Sequence, residues 1–300
     1  MILFQISRWL QWRLKNGHLC SMLVFPNAKI NLGLQVLHKR SDGYHDIITA
    51  MLPLPALCDA LELVECEGSD QLSLTGLPVP GDANNNLCIK ALQLLRNSFE
   101  IPPQHIHLHK VIPMGAGLGG GSADAAFLLK AMNEKYSLKI NDKSLAELAA
   151  SLGSDCAFFI ANRPAMARGR GELLSEFQID LSEYQLFLLH PNFHISTAEA
   201  YAHVPLRPDE DQIFDLLSKG PEAWRGHLSN AFEEYAFRQK PELRSLRDEL
   251  YRAGALYASM TGSGSAIYGI FAKEQDPGQA FEGLHRSMQA RNYFSRSMSL

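Results

Sequence analysis

Residues 113–126 are Pro113-Met114-Gly115-Ala116-Gly117-Leu118-Gly119-Gly120-Gly121-Ser122-Ala123-Asp124-Ala125-Ala126. Five glycines within seven positions allow the backbone to turn several N–H groups toward one point. The residues that follow favour a helix at about 122–133, and the positive end of that helix faces the same point. The pattern predicts a phosphate-binding loop.

Two better-known glycine motifs overlap this loop. Residues 115–120 fit the dinucleotide pattern G-x-G-x-x-G, which leaves a nicotinamide-binding oxidoreductase as an alternative. That alternative needs an acidic residue about 20 positions further on, after a strand, and no strand precedes Glu134. The spacing also fits a Walker A loop, but Gly121 stands where that motif has its lysine. A lysine that serves a bound triphosphate must therefore come from elsewhere in the chain.

A candidate for that lysine lies in residues 26–33, Pro26-Asn27-Ala28-Lys29-Ile30-Asn31-Leu32-Gly33. The apolar alternation predicts a strand over 30–37, preceded by another over 22–25. Lys29 and Asn31 lie two apart and share one face, while their apolar neighbours face the core. Phosphoryl transfer needs a cation near the transferred group, so Lys29 is the candidate.

Asp155 is the candidate carboxylate. It follows a helix predicted at 142–152 and precedes an apolar helix, so one interpretation is a helix N-cap. The other interpretation places the carboxylate near Lys29, where it accepts or orients the proton of an attacking hydroxyl. A further option is that Lys29 activates the hydroxyl and Asp155 positions Lys29.

Two more segments have the composition of ligand sites. Tyr44 and His45 offer an aromatic face beside a hydrogen-bonding ring, a combination that suits a nucleobase, although a turn with a packed tyrosine is also consistent. Residues 261–266, Thr261-Gly262-Ser263-Gly264-Ser265-Ala266, are either a tight turn between strands or a second anion-binding loop.

The composition excludes several classes of protein. The 28 basic and 32 acidic residues give a net charge of −4, which argues against nucleic acid as a partner. No apolar run has the roughly 18 residues of a membrane span. Five scattered cysteines without a C-x-x-C pair argue against a disulfide scaffold or a zinc site, and they favour the reducing cytoplasm.

The organisation along the chain predicts two lobes in an α+β architecture. Residues 1–21 are basic and apolar, and we expect them to lie outside the fold, as a leader or as an extension before a start at Met22. We place the first domain at 22–172 and the second at 173–300. Within the first, residues 61–65 and 71–74 alternate around a turn and predict a hairpin, and a helix follows at about 87–98. The second is predicted to have strands at 185–189, 256–259 and 267–271.

Taken together, residues 26–33, 113–126 and 260–266 resemble the three signature motifs of the GHMP kinases. Within this superfamily, residues 40–45, 153–155, 169–172 and 190–201 are most similar to the branch that acts on a cytidine-diphosphate-linked alcohol. The resemblance implies a ribosomal-protein-S5-like N-terminal lobe and a smaller α+β C-terminal lobe. It also implies transfer of the ATP γ-phosphoryl group to the 2-hydroxyl of 4-diphosphocytidyl-2-C-methyl-D-erythritol. Another GHMP kinase of the homoserine or mevalonate type remains the alternative.

The resemblance also assigns residues. Lys29 and Asp155 match the catalytic pair. The ATP-binding residues are Pro113, Met114, Gly115, Ala116, Gly117, Leu118, Gly119, Gly120, Gly121, Ser122 and Ala123. The substrate-binding residues are Asn31, Tyr44, His45, Thr197, Tyr201, Gly262, Ser263 and Gly264. Mg²⁺ is expected to arrive with ATP and to lie near Ser122, without a separate protein-held metal site, and the chain is expected to be a monomer or a weak homodimer.

Overall fold

The structure is a computed structural model that describes residues 21–207, 211–275 and 277–300. The predicted extension at residues 1–21 lies outside these ranges except for Ser21, which begins the first strand. Among the described helices, none is long and apolar enough to cross a lipid bilayer. The described strands form three four-stranded sheets.

The first sheet, which we call the N-terminal sheet, has the strand order β1-β4-β6-β5. Its strands are β1 (Ser21–Val24), β4 (Ala60–Glu65), β5 (Gln71–Gly76) and β6 (Gln104–Lys110). Helices α1 (Leu87–Arg96), α2 (Gly120–Lys135), α3 (Asp142–Leu152) and α4 (Cys156–Ala161) share a core with this sheet. The helices predicted at 122–133 and 142–152 are therefore present.

The predicted hairpin between residues 61–65 and 71–74 is wrong, because β6 lies between the two strands. β6 pairs antiparallel with β4 and parallel with β5. The start of β5 is held there by Asp70, whose carboxylate accepts hydrogen bonds from Arg96 Nη2 (2.8 Å) and from the backbone N–H of Gln104 (2.9 Å). Ile106 and Leu108 are buried in the central strand, a position that the local alternation pattern does not reveal.

The second sheet, the middle sheet, has the order β2-β3-β7-β8. Its strands are β2 (Asn27–Lys39), β3 (His45–Cys58), β7 (Ala165–Arg168) and β8 (Leu173–Glu176). The long β2–β3 pair is antiparallel and contains register shifts, one of which falls at Gly33 between Leu32 and Leu34. β2 extends beyond the predicted span of 30–37 at both ends and carries Lys29 and Asn31.

The C-terminal lobe contains the third sheet, with the order β10-β11-β9-β12. Its strands are β9 (Tyr184–His190), β10 (Tyr257–Met260), β11 (Ile267–Ala272) and β12 (Phe294–Ser299). The helices of this lobe are α5 (Thr197–His203), α6 (Asp211–Ser218), α7 (Glu233–Gln239), α8 (Pro241–Arg252) and α9 (Gly278–Ala290). Apolar residues of α7, α8 and α9 share a core with one face of the sheet.

The two lobes share a hydrophobic core. One cluster of buried residues contains Ile30 and Ile48 from the middle sheet together with Leu188 and Tyr268 from the C-terminal sheet. The predicted two-lobed α+β architecture is confirmed, and the site described below lies where the lobes meet.

Tyr268 provides a polar link across this shared core. Its side chain is fully buried, and its hydroxyl donates to the backbone carbonyl of Asn31 at 2.9 Å. We expect Tyr268→Phe to lower the free energy of unfolding by about 1–2 kcal/mol, because the buried carbonyl loses its donor. Urea denaturation measures this. Tyr293→Phe, which removes an exposed hydrogen bond to Glu242, serves as the control and should change stability by less than about 0.5 kcal/mol. Equal stability losses in the two variants would contradict the link.

Candidate active site

Lys29 joins β2 to the glycine loop. Its backbone N–H donates to the carbonyl of Leu118 at 2.9 Å, so the strand is hydrogen-bonded to the loop. Its side chain is 3% exposed. The ammonium donates to Asn31 Oδ1 at 2.6 Å and lies 3.1 Å from Asp155 Oδ2. The chain segments that carry the predicted catalytic pair therefore meet beside the loop.

Asp155 stands at the N-cap position of α4, but its side chain makes no capping hydrogen bond. The carboxylate pairs with Lys29 instead. The Asp155 side chain is 32% exposed, so it faces solvent on one side while it contacts the ammonium on the other. The Asp155 backbone therefore occupies the N-cap position, whereas its carboxylate forms the ion pair with Lys29.

The glycine loop adopts a backbone that side chains would prevent. Gly115, Gly117 and Gly119 have φ values of +66°, +78° and +71°. A Cβ atom on Gly117 would lie 2.0 Å from the Thr261 carbonyl oxygen, and one on Gly119 would lie 3.1 Å from Lys29 Cε. Since Gly119 is also the N-cap of α2 and offers no side chain, the first-turn N–H groups of that helix have no side-chain cap. Within the described part of the chain, Gly119 thus leaves the helix N-terminus without a side-chain cap, which is the arrangement that can bind phosphate.

The loop lies between two cavities. Gly117 and Gly119 line a cleft of about 660 Å³ that also contains Lys29 and Asp155. On the other side, Met114 and Gly121 line a cavity of about 140 Å³ that the sequence analysis missed. The other residues that line this second cavity are Leu74, Val79, Pro80, Gly81, Asp82, Ala83, Asn85, Asn86, Leu87, Leu108, Lys110 and Asp124. Pro80 and Gly81 lie a few residues before Asn86, the N-cap of α1, and this turn signal was available in the sequence. It is equally typical of a simple loop.

Most of the other predicted loop residues lie inside the protein. Pro113, Ala116, Leu118, Gly120 and Ala123 are buried. Ser122 is partly exposed, and its hydroxyl lies near Gly153, two residues before Asp155.

Asn31 connects the glycine loop to the third motif. Its Oδ1 accepts from Lys29, its Nδ2 donates to Thr49 Oγ1 at 3.1 Å, and its backbone N–H donates to Thr261 Oγ1 at 3.0 Å. The Thr261 hydroxyl in turn lies 3.2 Å from the Gly117 carbonyl. These contacts fix the Asn31 amide beside the Lys29 ammonium.

The segment at 261–266 connects β10 to β11 and reaches the cleft through Gly262 and Ser263. Ser263 Oγ lies 2.9 Å from Thr197 Oγ1, at the start of α5. Gly264 is engaged within the turn, because its N–H donates to the Thr261 carbonyl at 3.0 Å.

Asn230 holds the same turn, and the sequence analysis missed it. Its Nδ2 donates to the carbonyls of Met260 (2.8 Å) and Gly262 (2.9 Å) from a buried position. A single asparagine in a loop gives no sequence signal for such a role.

Aromatic rings form the far end of the cleft. The rings of His45 and Tyr201 are stacked, with centroids 5.0 Å apart and an interplanar angle of 23°. Tyr44 is 54% exposed, and the guanidinium of Arg170 lies 4.9 Å from its ring centroid. Burial lowers the pKa of His45 and raises the pKa of Tyr201 to about 12, so both rings are neutral near pH 7. Arg170 also lines the cleft, and the sequence analysis did not assign it a role.

The turn that presents these rings is held by ion pairs. Arg40 contacts both Asp42 and Asp46, and Asp42 Oδ1 accepts from the backbone N–H of Tyr44 at 3.1 Å. The hydrogen bond from Arg40 lowers the pKa of the Asp42 carboxyl. The 40–46 segment therefore orients Tyr44 and His45 toward the cleft.

Family models and curated relatives agree on what the chain resembles. The family model described as GHMP kinases N terminal domain matches residues 86–163, and the model described as GHMP kinases C terminal matches residues 213–290. A 4-diphosphocytidyl-2-C-methyl-D-erythritol kinase from Porphyromonas gingivalis is 47% identical over 261 residues, covering 84% of this chain and 93% of the relative. One from Bacteroides fragilis is 44% identical over 257 residues, covering 85% and 93%.

Solved structures give the same family. The crystal structure of a 4-(cytidine 5'-diphospho)-2C-methyl-D-erythritol kinase superposes with a TM-score of 0.73 at 32% identity, covering 93% of this chain and 98% of the other. The Methanococcus jannaschii mevalonate kinase superposes with a TM-score of 0.68 at 15% identity, covering 95% and 99%, which is a likeness of fold. The chain therefore belongs to the 4-diphosphocytidyl-2-C-methyl-D-erythritol kinase family of the GHMP kinases.

Proposed function

We propose that this protein transfers the γ-phosphoryl group of ATP to the 2-hydroxyl of 4-diphosphocytidyl-2-C-methyl-D-erythritol, giving the 2-phosphate and ADP in the non-mevalonate isoprenoid pathway. The observation that carries the proposal is the Lys29–Asp155 pair at 3.1 Å, in one cleft with Gly117 and the stacked His45–Tyr201 rings. A cation, a carboxylate, a phosphate loop and a flat aromatic surface are the groups that this reaction needs.

The ATP site runs along residues 113–123. The uncapped amides of α2 and the left-handed glycines favour the phosphates at the loop, with the γ-phosphate toward Gly117 and Gly119. The cavity beside Met114 and Gly121 then receives the nucleoside end. The triphosphate would cross the loop from this cavity toward Lys29.

Mg²⁺ fits this site as a companion of the nucleotide. The described residues contain no group of three or more histidine, cysteine, aspartate or glutamate side chains that could hold a metal. The protein oxygens that would hold it are the Ser122 hydroxyl, in the first turn of α2, and the Asp155 carboxylate beside Lys29. When bound to the phosphate oxygens, Mg²⁺ neutralises charge that develops during transfer.

The transfer step uses the Lys29–Asp155 pair. As the acceptor 2-hydroxyl attacks the γ-phosphorus, the bond between the γ-phosphorus and the β,γ-bridging oxygen breaks, and ADP leaves with the bonding electrons. The hydroxyl proton passes to Asp155, with Lys29 stabilising the negative charge on the phosphoryl oxygens. The alternative, in which Lys29 activates the hydroxyl and Asp155 holds Lys29, uses the same geometry.

The acceptor lies across the rest of the cleft. Asn31 is next to the reacting hydroxyl, since its amide is fixed beside the Lys29 ammonium. Tyr44, His45 and Tyr201 hold the cytosine by stacking and hydrogen bonding. Thr197, Gly262 and Ser263 line the same cleft, and we expect them to contact the acceptor between its base and its reacting end. Gly264, whose N–H is engaged within the turn, stays a prediction.

Two rival functions receive less support. A homoserine kinase from Cytophaga hutchinsonii superposes with a TM-score of 0.62 at 19% identity, well below the 44–47% of the curated relatives. Small acceptors such as homoserine also contain no base that could stack on the His45 and Tyr201 rings. A nicotinamide-binding oxidoreductase needs a doubly wound parallel sheet, whereas among the described strand pairs only β5–β6 is parallel.

Location and assembly remain predictions. The scattered cysteines favour the cytoplasm, and the four described cysteines are free thiols. We expect a monomer or a weak homodimer, which sedimentation measures.

The substrate assignment is tested by offering the purified protein ATP with one acceptor at a time. We expect ADP release with 4-diphosphocytidyl-2-C-methyl-D-erythritol, and none above background with homoserine, mevalonate or phosphomevalonate. Turnover of one of the other acceptors at a comparable kcat/KM would overturn the assignment.

The catalytic pair is tested by Asp155→Asn. We expect kcat to fall by about 10²-fold or more, the scale of a lost general base, with KM values little changed. Asp142→Asn is the matched control, because Asp142 begins the neighbouring helix α3 and its kcat should stay at the wild-type level. Lys29→Met distinguishes the two assignments of the proton acceptor. If Asp155 accepts the proton, Asp155→Asn should lower kcat more than Lys29→Met does. If Lys29 activates the hydroxyl, Lys29→Met should lower kcat more. A kcat within threefold of wild type in Asp155→Asn would contradict both assignments.

The nucleobase site is tested by His45→Ala. Removing the ring that stacks on Tyr201 should raise KM for the cytidyl acceptor by about tenfold, while KM for ATP stays within twofold. His105→Ala serves as the control, because His105 lies on β6 with its ring bonded to Ser73. If His45→Ala raised both KM values equally, the separation of base and ATP sites would be wrong.

A further inference from the structure

A buried lysine lies beneath the ATP loop. Lys110 ends β6, and its side chain is 0% exposed. Its ammonium is hydrogen-bonded to Asp59 Oδ2 and donates to Asp124 Oδ2 at 2.7 Å. We call Lys110, Asp59 and Asp124 the buried trio.

Asp59 holds the entrance of the loop. Its Oδ1 accepts from the backbone N–H groups of Val111 (2.6 Å) and Ile112 (2.9 Å), the two residues that precede Pro113. Its other carboxylate oxygen is the one that pairs with Lys110. The Asp59 carboxylate thus binds both the backbone at the loop entrance and the ammonium of Lys110.

Asp124 belongs to α2, the helix that leaves the loop. Because Lys110 contacts Asp59 and Asp124 at once, one ammonium links the strand end that enters the loop to the helix that leaves it. None of the intervening residues 111–123 carries a charged side chain that could form such a link.

The space around Lys110 leaves little freedom. A Cβ atom on Gly120 would lie 3.4 Å from Lys110 Nζ, and one on Gly76 would lie 2.2 Å from the Lys110 carbonyl oxygen. That carbonyl also accepts from the backbone N–H of Leu77 at 2.9 Å. The backbone of Lys110 is therefore fixed against the end of β5, and its ammonium is packed against Gly120 at the start of α2.

Stability alone does not account for the trio. Two carboxyl groups share one ammonium, and Asp124 Oδ1 is buried without a hydrogen-bond partner in the part of the chain that the structure describes. Burial raises the pKa of Asp124, which reflects the cost of holding a charge there. Apolar side chains of similar volume often serve stability as well as buried ion pairs do.

We propose that Lys110, held between Asp59 and Asp124, is a positioning residue for ATP: it sets the separation of the two loop ends so that the loop amides face one point. The inference rests on the proposed function only in that residues 113–123 bind ATP. It does not depend on which alcohol accepts the phosphoryl group.

The test is binding of a non-hydrolysable ATP analogue to the full chain, measured by calorimetry. Asp124→Asn keeps the side-chain volume but removes the charged link to α2. We expect the analogue to bind about tenfold more weakly, the scale of a lost charge-assisted hydrogen bond, and KM for the acceptor to stay within twofold. Because Lys110 and Asp124 also line the cavity that receives the nucleoside, adenosine is the second probe. It has no phosphates for the loop amides, so its affinity should stay within twofold of wild type, and an equal loss for adenosine and the analogue would contradict positioning of the loop. Arg96→Met is the matched control, because it breaks the Arg96–Asp70 ion pair in the same lobe and should leave analogue binding unchanged.

The triple variant Asp59→Asn/Lys110→Met/Asp124→Leu separates positioning from folding. It replaces the ammonium link by apolar contacts without leaving a buried carboxylate unpaired, and the amide oxygen at position 59 can still accept from the loop entrance. We expect a folded protein, shown by a cooperative thermal transition, with analogue binding as weak as in Asp124→Asn. Wild-type affinity in the folded triple variant overturns the proposal, and so does a triple variant that fails to fold, since the trio would then serve folding. Analogue binding by a wild-type protein that turns over no cytidyl acceptor would count against the proposed function and leave this inference standing.

Discussion

The hydrogen bond from the Lys29 backbone N–H to the Leu118 carbonyl determines where everything else in the site lies. It attaches a buried strand of the middle sheet to the centre of a loop made mostly of glycine. Because the bond is made by the backbone of Lys29 itself, the side chain of the same residue is placed beside the loop amides. A cation and a row of N–H donors thus converge on one point without a lysine in the loop.

This attachment requires the two lobes to meet at the same point. Gly117 approaches Thr261 so closely that a Cβ atom would lie 2.0 Å from the carbonyl oxygen. Thr261 and Asn31 are joined by a hydrogen bond, and Asn230 holds the neighbouring turn. The site is consequently part of the shared core, and its geometry depends on packing from both halves of the chain. A preorganised arrangement of this kind stabilises charge without reorganisation during the reaction.

The sequence predicted the parts of the site that have a local chemical signature. A glycine-rich loop that enters a helix is recognisable because few backbones need so many glycines, and the missing Walker A lysine pointed to Lys29. Asp155 was recognisable only through its partner, because its own surroundings equally suit an N-cap. Contact between Lys29 and Asp155 depends on tertiary structure, which the spacing of 126 positions in the chain does not determine.

The errors and omissions arise from long-range contacts. β4 and β5 have hairpin spacing, but β6 lies between them, and Asp70 is bonded to Arg96 and to Gln104, the first residue of β6. Lys110 ended an apparently ordinary strand, and nothing in its neighbours indicated that Asp59 and Asp124 would surround it. The stacked His45 and Tyr201 come from opposite lobes. Local patterns predict elements and loop chemistry, whereas side-chain partners are set by which elements the fold brings together.

A crystal structure of the protein with a non-hydrolysable ATP analogue and the cytidyl acceptor tests the central claim most directly. The account predicts the γ-phosphate at the amides of residues 117–119, with the acceptor 2-hydroxyl in line with it and within hydrogen-bond distance of Asp155 or Lys29. A γ-phosphate bound away from Lys29, or an acceptor hydroxyl that contacts neither side chain, would contradict it.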